Sequence, residues 1–205
     1  MNWKLIVKDK ANQPEKGTYT DWKEQIAEEC FFQCIYCSIN EAQFGGIDHY
    51  HIEHYKPKSI ERFKALENDI CNLFYSCPIC NRFKSNDWPN DADDLDKICY
   101  PDPSEYNYSE LFDVSTDDYK VNGKYVSTRY MTERLYLNRP QLLYERRETV
   151  LQQRAENVTK AIEALQEMID TQELLKESNK GVIELLKTTQ KRNNIRPYKL
   201  SEIRK

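Results

Sequence analysis

Two cysteine pairs, Cys34-x-x-Cys37 and Cys77-x-x-Cys80, constrain this chain more than any other feature. A CxxC segment can close into a tight turn that points two thiolates at one centre. Two such turns complete a tetrahedral site with Zn–S bonds of about 2.3 Å. One CxxC alone could be redox-active or accidental, but two of them in a chain expected to be cytoplasmic read as a structural zinc site. The second pair, "CPIC", is typical of a zinc knuckle. The ion would then staple the residues around 34 to those around 80, across a segment too small to fold on its own core. Cys30, Cys71 and Cys99 have no partner spacing and read as buried small residues.

The chain has 205 residues, 39% hydrophobic and 31% charged, which suits one domain with an extension or two small domains. No apolar run reaches the length of a membrane span, and "MNWKLIVKDK" lacks the apolar region of a signal peptide, so a cytoplasmic protein is expected. The net charge of −4 argues against a surface coated in nucleic acid. Between residues 55 and 85, however, Lys56, Lys58, Arg62, Lys64, Arg82 and Lys84 outnumber Glu61, Glu67 and Asp69. That window is net positive; a solvated basic face is its simplest explanation.

Residues 21 to 33 read as a helix opened by Asp21, with Glu24 three positions later as a variant capping box. A short polar strand and the turn "FGG" follow. In "IDHYHIEH", Tyr50 and Ile52 alternate with His49, His51 and Glu53, as in a strand, which Pro57 should end. Residues 59 to 68 read as a short helix or loop, and "CNLFYSCPICNRFKSN" as a turn leading into a helix. Residues 88 to 110 read as a loop whose "DADDLD" run is a solvated acidic stretch, since the Gly and terminal Glu of a calcium loop are missing. Asn122-Gly123 signals a hairpin turn within residues 111 to 128. From Pro140 to about Arg192 the pattern is helical, broken near Gly181. Leu142, Leu143, Val150, Leu151, Val158, Ile162, Leu165, Ile169, Leu174 and Leu175 form an apolar stripe along it.

All three histidines, His49, His51 and His54, fall in "HYHIEHYKPKS", with Glu53 just before the last. Neutral imidazole is a common metal ligand and titrates near neutrality, so the cluster invites a metal or acid–base reading. A Tyr/His-rich strand with satisfied histidines is the alternative. If four thiolates close the zinc shell, the histidines are free for other work.

Taken in order, "CIYC", "IEH" followed by a proline, "NLFYSC" and "CPICNRFK" resemble the HNH (ββα-metal) endonuclease family in its zinc-stapled form, from Cys34 to Lys84. "ERLYLNRPQLLYERR" and the helical C-terminus more loosely resemble the PtuB family, the small HNH subunits of Septu-type and retron-linked antiphage systems. The resemblance implies an α+β fold: a zinc-stapled ββα-metal core in residues 1–110, then a β-hairpin and helical region in residues 111–205 that docks a partner. It implies divalent-metal-dependent hydrolysis of phosphodiester bonds, leaving 5′-phosphate and 3′-hydroxyl ends. DNA is the favoured substrate and RNA such as tRNA the alternative, with a PtuA-like ATPase subunit as partner.

Carried over by position, the acid–His pair falls on Glu53 and His54, the central Asn on Asn72 and the final position on Asn81. His54 would take a proton from water. Glu53 and Asn81 would offer hard oxygen donors to a catalytic Mg²⁺ or Mn²⁺. Asn72 would brace the His54 loop, or simply cap a turn. His51 would be an added ligand or a hydrogen-bond donor behind the ligands, and His49 structural. Lys56, Lys58, Arg82 and Lys84 would touch phosphates, although Arg82 and Lys84 could equally cap or solvate the last helix. The rival reading is a non-catalytic zinc-binding interaction module. The basic end of the chain, "NNIRPYKLSEIRK", is expected to join in partner docking.

Overall fold

The segment between the cysteine pairs folds into a strand pair followed by a helix, in the computed structural model that describes residues 3–90, 94–171 and 180–193. Strand β1 (His51–His54) runs antiparallel to β2 (Leu73–Ser76), with His51 opposite Ser76, Ile52 opposite Tyr75, Glu53 opposite Phe74 and His54 opposite Leu73. Helix α2 (Pro78–Lys84) follows at once. All of β2 is buried, which is why its "LFYS" shows no alternation and reads as a turn from sequence. A strand covered on both faces has no polar side to betray its period.

Helix α1 (Lys23–Glu29) buries Ile26 and Ala27. It is shorter than the sequence suggests, and Asp21 does not cap it. The Asp21 carboxylate instead accepts from the Thr18 amide at 2.8 Å and closes the preceding turn. The helix stops because Phe31 and Phe32 both take left-handed backbone conformations, at φ 55°. The Phe32 amide bonds back to the Ala27 carbonyl at 2.7 Å, turning the chain into the first CxxC segment. The expected polar strand before "FGG" is only a single bridge between Gln33 and Asn40, followed by a 3₁₀ turn over Glu41–Phe44 that Asn40 caps.

A short helix α3 (Tyr108–Leu111) leads into a second antiparallel hairpin, β3 (Phe112–Val114) and β4 (Val121–Gly123). Asn122 and Gly123 lie inside β4 and not in its turn, which spans residues 115–120 and is closed by the Ser115 amide on the Lys120 carbonyl at 2.8 Å. Gly123 is needed for close approach: a Cβ there would sit 2.4 Å from the backbone carbon of Thr128 in helix α4 (Val126–Arg134). The Asn138 side chain clamps Val121 through both its backbone groups, at 2.8 and 3.0 Å.

The core of this part joins Trp3, Tyr36, Tyr100, Tyr108, Phe112, Met131, Leu135 and Leu137 to the strand pair. Trp3 stacks on Phe112 and its indole donates to the Tyr36 carbonyl at 3.3 Å. The chain divides into two units, Met1–Tyr144 and Glu145–Lys205, so the hairpin and α4 fold with the first. Cys30 and Cys99 are buried, as expected, whereas Cys71 is only half-buried. The Asp91–Asp93 part of the acidic run lies outside the described residues.

Helix α5 (Pro140–Thr171) starts in the first unit and continues into the second, which also holds α6 (Lys180–Asn193). Within the second unit Ala155 and Ile162 are buried, and Gln190 donates to Thr159 at 3.2 Å, joining α6 to α5. Leu151 and Leu165, expected on the apolar stripe, are exposed, and Gly181 lies in the first turn of α6, next to residues 172–179, which lie outside the described residues. Leu174, Leu175 and residues 194–205 of the basic tail lie outside the described residues. Among those described, no helix is long and apolar enough to cross a membrane.

Gly123→Ala should lower unfolding free energy by about 1–3 kcal/mol, as overpacking against backbone does. Urea unfolding followed by circular dichroism checks this; an unchanged midpoint would show that α4 moves aside freely.

Candidate metal centre

Four buried cysteines, Cys34, Cys37, Cys77 and Cys80, bring their sulfurs within 4.8 Å of one another. Each pair is set by local backbone. In the first, the Cys34 amide bonds to the Ile39 carbonyl at 2.9 Å and the Ser38 amide to the Cys34 carbonyl at 2.8 Å, with Ser38 left-handed at φ 53°. The adjacent Ile35 amide bonds to the Tyr75 carbonyl at 3.0 Å, which fixes the turn to β2. In the second pair, Cys77 is the N-cap of α2, its sulfur accepting from the Cys80 amide at 3.4 Å, and Pro78 takes the first helical position.

The set fits a zinc ion. A tetrahedron with Zn–S bonds of about 2.3 Å has edges of about 3.8 Å, and the Cys37 and Cys77 sulfurs stand 3.8 Å apart. All seven cysteines are free thiols. Burial pushes the Cys34 and Cys80 thiols up, while hydrogen bonds from the other three cysteines pull Cys77 well below its usual range. Among the described residues this is the one cluster of three or more His, Cys, Asp or Glu ligand atoms close enough to hold a metal.

A further residue, to which no spacing rule points, hydrogen-bonds to the sulfurs. Arg139, in the "LNRP" link between α4 and α5, donates to Cys37 at 3.6 Å, to Cys77 at 3.8 Å and to Cys80 at 3.6 and 3.7 Å. It lies 59 positions beyond Cys80, so only the fold brings the two together.

The strand pair carries a second group of polar side chains. Glu53 is 3% exposed and Lys84, at the end of α2, is fully buried; the two form an ion pair at 2.6 Å. The Tyr36 hydroxyl donates to the same carboxylate at 3.4 Å, and the Lys84 ammonium also donates to the His54 carbonyl at 3.2 Å. Burial pushes the Glu53 carboxyl up, and Lys84 and Tyr36 pull it back. A Lys84 poised for a phosphate therefore gives way to one in the core, because the only carboxylate on the inner face of β1 needs a cation.

His54 is half-buried and its Nε2 lies 3.0 Å from the Glu67 carbonyl. A carbonyl can only accept, so Nε2 carries the proton and the lone pair of the neutral ring is on Nδ1. Burial lowers the imidazole below its ordinary value, and the charges of Lys58 and Lys84 act in the same direction against the Glu67 carbonyl. The edge of Tyr19 packs on the His54 ring with centroids 4.8 Å apart. Tyr19 also meets Lys58, whose ammonium bonds to the Tyr19 hydroxyl at 2.8 Å and to Glu67 at 2.7 Å. Nothing in the sequence around Tyr19 signals this.

Asn72 is buried and clamps the backbone just beyond His54. Its Oδ1 accepts from the Lys56 amide at 2.8 Å and its Nδ2 donates to the Lys56 carbonyl at 3.1 Å. Asn81 is half-buried on α2, one turn before Lys84. Lys56 is half-buried and Arg82 exposed, as are His49 and His51. The structure thus joins Glu53 to Lys84, His54 to Tyr19 and Asn72 to Lys56, while His49 and His51 stand in solvent. Comparison with family models, curated proteins and solved structures finds no match for the chain.

The purified chain should hold one zinc per molecule, and Cys77→Ser should unfold it, since binding and folding are one event at such a site. Elemental analysis that finds no zinc in a folded preparation would count against the centre. Lys84→Met should cost about 3–5 kcal/mol by stranding the buried Glu53 charge, and Lys84→Met with Glu53→Leu should recover most of it. Equal losses in the single and double variants, by denaturant titration, would show the pair to be uncoupled.

Proposed function

We propose that the chain is a zinc-stapled nuclease of the HNH type that hydrolyses phosphodiester bonds in nucleic acid. DNA is the favoured substrate, with RNA such as tRNA the alternative. The observation that carries this reading is the state of His54. It is a neutral imidazole with Nε2 tied to a carbonyl and the Nδ1 lone pair left to act, on a strand–strand–helix unit that ends in cysteine-borne α2. A general base needs that protonation state near neutral pH.

In the proposed reaction Nδ1 of His54 takes a proton from the attacking water as its oxygen bonds to phosphorus. The bond from phosphorus to the 3′-oxygen breaks, that oxygen gains a proton from solvent, and 5′-phosphate and 3′-hydroxyl ends result. Asn72 keeps the His54 loop in place through Lys56. Lys56 and the exposed Arg82 offer phosphate contacts that add affinity without base specificity. The resemblance would have a Mg²⁺ or Mn²⁺ ion held by the oxygens of Glu53 and Asn81, with His51 as an added donor. As they stand these residues do not fit that ion, because the Glu53 carboxylate is buried and taken up by Lys84 while His51 is exposed.

We also propose that the second unit docks a larger partner, a PtuA-like ATPase subunit. Its exposed Leu151, Leu165, Met168, Val182 and Leu185 support a role in association.

The test is cleavage of supercoiled DNA and of tRNA by the full chain, alone and with the ATPase, with Mg²⁺ or Mn²⁺. His54→Ala should lose about 10²-fold or more in rate while keeping its fold and zinc. Wild-type rates from that variant would remove His54 from the mechanism. Inertness of the native chain toward both substrates, with and without the partner, would leave a non-catalytic zinc-binding module.

A further inference from the structure

A zinc ion bound by four thiolates carries two net negative charges, and here it would sit among cysteines exposed by no more than 2%. Burying such a charge without a counter-charge is costly. Among the described residues the cation that hydrogen-bonds to the sulfurs is the Arg139 guanidinium, whose two terminal nitrogens reach three of the four cysteines. We infer that Arg139 is an integral part of the metal centre, a guanidinium clamp that offsets its charge and holds the ion in place through N–H···S bonds to Cys37, Cys77 and Cys80. This rests on the zinc reading of the cysteines and is independent of any nuclease activity.

The clamp is itself anchored. Nη1 also donates to the carbonyls of Leu135 and Tyr136, at 3.3 and 3.4 Å, at the end of α4. The Arg139 backbone amide bonds to the Tyr136 carbonyl at 3.0 Å, and the Leu142 amide returns to the Arg139 carbonyl at 2.9 Å. Tyr136 adopts a left-handed conformation, φ 49°, and Leu135 and Leu137 on either side of it are fully buried. The link between α4 and α5 is thereby shaped to present one side chain to the cysteines. Arg suits the task better than Lys, because a planar fork can serve several acceptors at once whereas an ammonium is a point charge. Donors behind a metal's ligands lower the ligands' availability to competitors, and their loss commonly costs 10–100-fold in metal affinity. Arg139 acts through the sulfurs and does not bind the ion.

The test compares native chain, Arg139→Gln and Arg139→Lys, each loaded with one zinc, in the rate of zinc transfer to excess chelator. The Gln variant keeps N–H donors and drops the charge; the Lys variant keeps the charge and drops the fork. Arg139→Gln should release zinc about 10-fold faster or more, with Arg139→Lys between it and the native chain. Loading with Co²⁺ gives a readout that a merely structural side chain would not move: the thiolate-to-cobalt absorption should shift in the Gln variant and be largely restored by Lys. Should Arg139→Gln fail to fold, Arg139→Lys carries the comparison, with faster release than native expected. Release rates and cobalt spectra identical to native in the folded variants would overturn the clamp. A folded native chain that holds neither metal would instead overturn the cysteine centre.

Discussion

The convergence of four sulfurs is the constraint on which the first unit depends. A two-stranded antiparallel pair of four residues each is not stable on its own in water, and β1–β2 is no more than that. Its order comes from both ends of the segment being tied to one point. The first cysteine turn is fastened to β2 by the bond from Ile35 to Tyr75, and the second turn is the N-terminus of α2 itself. A zinc ion closing that tetrahedron would convert two local turns into one long-range link, and its binding energy would serve as folding energy.

The same strand shows how alternation sorts chemistry. Successive side chains of β1 point to opposite faces, so Glu53 enters the core while His54 stays half-buried beside Tyr19 and Lys58. The carboxylate is tolerable inside because Lys84 arrives from α2 with an ammonium, and Tyr36 supplies a hydroxyl. A pair of this kind contributes little net stability over an apolar replacement but makes its register exacting, because either partner alone would be a stranded charge. The seating of α2 on β1 therefore carries the positions of Glu53, Asn81 and the His54 backbone together.

Much of this was legible in the residues. CxxC spacing exposes a cysteine cluster fit for a metal because the chemistry demands ligand pairs at fixed local intervals, whereas the alternation that pointed to β1 set Glu53 on the polar face and the structure buries it, with residues 47–49 in a 3₁₀ turn before the strand. Other features are hidden from the sequence for identifiable reasons. Strand β2 lacks a polar face, so nothing marks its period. Asn122-Gly123 carries the composition of a hairpin turn, yet Gly123 is there because α4 passes too close for a side chain. Helix α1 has residues fit to continue to 33 but is ended by the left-handed pair Phe31–Phe32, which no propensity anticipates. Lys84 had the look of a surface base on a short helix until its neighbour across the fold turned out to be a buried carboxylate.

Sequence by itself determined which four cysteines meet, that a strand with histidines lies between them, and that helices follow. Each of these is written in local spacing, where the period of the backbone and the reach of a turn are enough. Tertiary structure alone decided that Glu53 belongs to Lys84, that His54 leans on the Glu67 carbonyl and Tyr19, that Asn72 holds Lys56, and that Arg139 closes over three sulfurs from 59 positions away. These are contacts between side chains distant in sequence, and they exist only once the core has fixed where each backbone segment runs.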